Sequence, residues 1–66
     1  MDNDPNGYIV RVETKHGEDC WLGQRVYLSY DSAVIVKHNV MDSGRYRRVY
    51  VRIATLEQRA YALSVV

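Results

Sequence analysis

Apolar positions along this chain first alternate, then cluster at helical spacing, then alternate again. Tyr8 to Lys15 is rich in β-branched residues and predicts a strand. His16-Gly17-Glu18-Asp19 is a polar connector of hairpin length. From Cys20 to Leu28 the pattern predicts a second strand, with Cys20, Leu22, Val26 and Leu28 on one side. Trp21, Arg25 and Tyr27 fall on the other, and Gly23 marks a bulge or a close approach. Ser29 is a good N-cap, and Ala33, Val36 and Val40 follow at one-face spacing up to Gly44. A helix is expected over 30–42.

Tyr46 to Thr55 is the clearest strand. Val49, Val51, Ile53 and Thr55 share one face; Arg48, Tyr50, Arg52 and Ala54 share the other. The tail from Leu56 reads two ways. Thr55 and Gln58 resemble a capping box, with Leu56, Ala60 and Leu63 on one helical face, whereas Tyr61 to Val66 would also suit a strand. The order is β-β-α-β plus a short tail element. This predicts a small single α+β domain over 1–66, with residues 1–7 a loose lead. Its antiparallel sheet packs on one helix. The expected core joins Val10, Val12, Leu22, Val26, Val49, Val51 and Ile53 to Ala33, Val36 and Val40.

Composition narrows the classes. At 66 residues the chain is short for a fold that encloses a substrate cavity, and its stability margin should be thin. Its single cysteine, Cys20, cannot form an internal disulfide, which fits a cytoplasmic location. No apolar run approaches the roughly 20 residues of a membrane span, and the acidic start is unlike a signal segment. The net charge of +1 conceals an asymmetry. Residues 1–20 carry five acids against two bases; residues 21–66 carry seven bases against three acids. A local anion-seeking surface is therefore expected on a protein of nearly balanced charge.

That surface is legible as a face. With the aliphatic sides buried, Arg11, Arg25, Arg48 and Arg52 should lie exposed among Trp21, Tyr27 and Tyr50, with Arg45, Tyr46 and Arg47 at the rim. Arginine and flat aromatics stack on bases and pair phosphates in single-stranded nucleic acids. The same residue types dominate protein–protein hot spots. Six Tyr and no Phe suggest aromatics on display, since a tyrosine waits in water at less cost. A charge excess of only +1 favours a protein or nucleoprotein partner over nucleic acid alone. The uncharged tail from Ala60 suggests docking, either on its own sheet or in a homodimer, for which a sheet edge is the other route.

Other chemistry is weakly written. Asp2, Asp4, Asn6, Gly7, Tyr8 and Glu13 match the spacing of a calcium loop. No entering helix fits before residue 2, however, and Pro5 restricts the backbone. His16, Cys20 and His38 are too scattered for a metal site. Cys20 beside Glu18 and Asp19 is a poor nucleophile, because negative neighbours disfavour the thiolate. No catalytic base, nucleophile pair or phosphate loop is spelled out, so neither catalysis nor a cofactor is expected. In size and element order the chain resembles accessory proteins of phages and mobile elements, including small inhibitors of host defence complexes such as anti-CRISPR proteins. The resemblance implies a stand-alone, non-enzymatic binder.

Overall fold

The computed structural model describes residues 3–64. It contains two helices and a three-stranded antiparallel sheet, an α+β architecture. Strand β1 runs over Tyr8–Glu13, β2 over Asp19–Trp21 and β3 over Arg48–Ile53; helix α1 spans Tyr30–Asp42 and α2 spans Leu56–Ser64. The sheet order is β2-β1-β3, so β1 is central.

Local chemistry explains each element. Thr14 closes the β1–β2 hairpin: its hydroxyl accepts from the His16 and Glu18 amides, and its own amide donates to the Glu18 carbonyl. Gly17 takes φ +87° there, which the turn requires and a side chain would resist. Helix α1 starts where Ser29 accepts from the Ser32 amide, and it ends at Ser43 with Gly44 at φ +69°. The tail is a helix through residue 64. Thr55 and Gln58 form the reciprocal capping box, each side chain accepting from the other's amide at 2.9 and 3.1 Å. The terminal-strand reading of 61–66 fails over Tyr61–Ser64; Val65 and Val66 lie outside the described residues.

The second strand is shorter than expected. It stops at Trp21 and gives way to a tight 3-10 turn over Leu22–Gln24. Gly23 and Gln24 both have positive φ there, 65° and 53°, which breaks the pleat. The Trp21 indole N–H donates to the Arg25 carbonyl across this turn. When the chain returns to the sheet it touches only through the Tyr8–Tyr27 bridge. The alternation has lost its phase by then. Tyr27 packs against the core, and Leu28 is exposed.

Val10, Val12, Ala33 and Val49 form the central cluster, with Tyr8, Leu22, Tyr27, Val36, Val40, Tyr46 and Val51 packed around it. Of the expected core, Val26 is half-buried and Ile53 is exposed. Ile9 and Ala54 are buried outside this cluster. Residues 3–7 of the expected loose lead are tied down. The Asp4 amide donates to the Tyr8 hydroxyl, Asn3 accepts from the Tyr30 amide, and the Pro5 carbonyl accepts from Arg59.

Candidate functional site

Antiparallel pairing puts opposed residues on the same side of a sheet. Around β1 one side therefore carries Arg11 between Trp21 and Tyr50, Glu13 between Asp19 and Arg48, and Ile9 beside Arg52. Five of the expected partner-binding residues, Arg11, Trp21, Arg48, Tyr50 and Arg52, meet on this polar face.

Tyr50 is its centre. Arg48 and Arg52, two positions before and after it, sit with their guanidinium carbons 5.5 and 5.2 Å from its ring centroid. Each is a cation–π contact of about 0.5–1 kcal/mol at an exposed site. The Tyr50 hydroxyl donates to one oxygen of Asp19, and Arg11 binds the other at 2.7 Å through Nε. Hydrogen bonds from Tyr50 and Arg11 hold the Asp19 carboxyl below its ordinary pKa, with the positive charges of Arg11 and Arg48 adding to the effect. The bond to Asp19 raises Arg11 in turn. One carboxylate thus orients a tyrosine and an arginine from two different strands.

At the β2 side the face continues into α2. The Trp21 and Tyr61 rings meet edge-on at 5.9 Å, and the Tyr61 hydroxyl lies 3.2 Å from Gln24 Oε1. Ile9 is buried on this same side.

The remaining expected residues lie elsewhere. Tyr27 packs on the core through its bridge to Tyr8, because the positive-φ turn shifted its phase. Tyr46 also packs on the core. Arg25 is exposed beyond the end of β2, and with Arg59 and Leu63 it lines an open groove of about 640 Å³ beside α2. Arg45 is exposed in the turn after α1, and Arg47 reaches Glu13 at 3.8 Å. Tyrosine display is therefore partial: Tyr8, Tyr27 and Tyr46 serve the core, while Tyr30 and Tyr61 are exposed.

The sequence reading overlooked Asp19, Gln24 and Tyr61. The place of Asp19 follows from the hairpin register. A turn centred on His16 sets Glu13 opposite Asp19 and Arg11 opposite Trp21, which brings the carboxylate beside the arginines.

The calcium-loop spacing is drawn out along β1. Tyr8–Glu13 is extended, so Glu13 stands about 17 Å from the loop end. Asp4 Oδ1 caps the Asn6 amide instead, and Asp2 lies outside the described residues. Cys20 is exposed. Among the described residues no helix is long and apolar enough to cross a membrane. Comparison of the chain with protein-family models, with curated proteins and with solved structures gave no match.

Proposed function

We propose that this β-β-α-β unit with its tail helix is a non-enzymatic binding module for a protein or nucleoprotein partner, contacted through the Arg11–Trp21–Arg48–Tyr50–Arg52 face. The observation that carries the reading is the Tyr50 assembly. Its ring is flanked by two guanidinium groups, and its hydroxyl is fixed by Asp19. A preordered aromatic loses little side-chain entropy on binding, and Tyr and Arg are the residue types that carry hot spots.

The acids on the face favour a protein over a bare phosphate chain. Asp19 occupies Arg11, and Arg47 approaches Glu13, so a polyanion would meet two carboxylates among the arginines. A protein surface with acidic side chains can instead pair Arg48 and Arg52 while covering the tyrosine. Arg48 and Arg52, exposed beside a stackable ring, support single-stranded nucleic acid as the second reading. Within the protein-binding class, a phage-type inhibitor of a host complex suits a domain with one adhesive face.

Binding to single-stranded DNA and RNA at low salt separates the two. The proposal expects no measurable shift. Tight binding with a steep salt dependence, weakened by Arg48→Ala and Arg52→Ala, would replace the protein reading with the nucleic-acid one. Against a protein partner, Tyr50→Ala should cost at least tenfold in affinity, while Lys37→Ala on α1 should change it little. Equal effects would mean that a different face binds.

A further inference from the structure

Among the described residues no strand pairs with the outer edge of β3. The Ala54 amide donates to the Gly7 carbonyl, and the alternation of an antiparallel ladder turns the main-chain groups of Arg52, Tyr50 and Arg48 the same way, toward β1. The N–H and C=O groups of Val49, Val51 and Ile53 consequently point away from the sheet. Among the described residues no turn, loop or cap hydrogen bond reaches them. Edges of this kind are usually blunted by proline, charged side chains, a bulge or a covering segment. Over Arg48–Ile53 the strand has no proline, its two charges, Arg48 and Arg52, lie on the polar face, and it pairs with β1 without interruption.

We infer that β3 pairs with β3 of a second copy of this chain, antiparallel about a two-fold axis at Val51, to form a continuous six-stranded sheet. The strand is self-complementary in this register. Centred on Val51, the pairing sets Val49 against Ile53 and Val51 against its twin on the α1 side, and Tyr50 against Arg52 on the polar side. Arg48 falls opposite Ala54. Apolar residues meet apolar ones, and each tyrosine meets a guanidinium group.

Neighbouring registers are worse. Centring on Tyr50 opposes Arg48 to Arg52, and centring on Arg52 opposes it to its twin. Centring on Val49 sets Val51 against Arg47 and Ile53 against Arg45. The Val51 register also pairs the outward groups of Val49, Val51 and Ile53, so each edge satisfies the other. Ile53, 57% exposed in the single chain, would gain cover from Val49 of the second copy. The inference does not depend on what the polar face binds, although the dimer would place two such faces side by side.

Light scattering of the full chain across a concentration series tests it. The expected mass is twice 7.7 kDa at high concentration, falling by half on dilution. Ile53→Pro removes an outward N–H and no bond to β1, so it should give the one-chain mass with the amide protection of β1 unchanged. If that variant fails to fold, a synthetic chain with an N-methylated Val51 amide makes the same test on a single outward donor. Leu63→Ser, on α2, should leave the two-chain mass intact. A one-chain mass at every concentration would overturn the proposal. So would a dimer that survives the β3 changes, or one lost through Leu63→Ser.

Discussion

On one side of β1 and β3, Val10, Val12 and Val49 are buried against Ala33 of α1. On the other, residues one step along the same strands, Arg11, Tyr50 and Arg52, form a polar layer tied together by Asp19. The difference lies in what each side requires of its neighbours. The valine side needs only shape and volume, which α1 supplies. The arginine side needs partners for charge, and it takes one carboxylate from β2 while leaving two guanidinium groups on an aromatic ring. Burial is concentrated on the first side, and on the proposed function recognition falls to the second. Changes to the two sides should therefore separate stability from binding.

The largest effect should come where β1 begins, because both sides depend on that point. Gly7 is buried at φ +82°, and a Cβ there would lie 2.5 Å from a Val26 methyl and 2.9 Å from the Tyr27 carbonyl oxygen. Gly7→Ala should cost about 3 kcal/mol or more from backbone strain and overpacking, read by chemical denaturation. Val10 is fully buried, and Val10→Ala should cost about 2 kcal/mol while leaving partner affinity unchanged per folded molecule. A comparable loss of affinity would show that the two sides are coupled. Ser29→Ala removes the α1 N-cap, for about 1 kcal/mol in the same measurement.

On the polar side the stability effects shrink. Tyr50→Ala should destabilise by about 1 kcal/mol or less, the size of its exposed contacts, despite its predicted large effect on binding. Asp19 gives the smallest and most specific signal. Its folded pKa lies below the ordinary value of 3.8, so its contribution is complete above that value. It is lost as pH falls through the lower folded value. Asp19→Asn should flatten that part of the acid denaturation curve and change little at neutral pH. An unaltered acid limb would show that the Tyr50–Asp19–Arg11 link does not form in solution.

Much of the valine side was legible because burial leaves a period. The Ser29 cap, the helix over 30–42 and the Thr55–Gln58 capping box all rest on local spacing, and local hydrogen bonds realise them. The second strand was misread beyond Trp21 because alternation cannot report where φ turns positive. Gln24, a residue with no special signal, adopts that conformation beside Gly23. The positive-φ turn moves Tyr27 from the expected polar face to the core. Ile9 was missed as a buried residue of the polar side, since strand alternation assigns it to the exposed face with Arg11. Arg48, Tyr50 and Arg52 were legible as a face through simple alternation along β3. Asp19 was not, because its role depends on hairpin register, a relation between strands rather than a feature of either.

Affinity capture from cells that encode the protein tests the central claim most directly. Tagged wild-type chain, Tyr50→Ala, Arg52→Ala and Lys37→Ala would be compared with and without nuclease. The account predicts a partner that survives nuclease, is retained by Lys37→Ala and is lost with Tyr50→Ala and Arg52→Ala. The same partner retained equally by all four chains would contradict it.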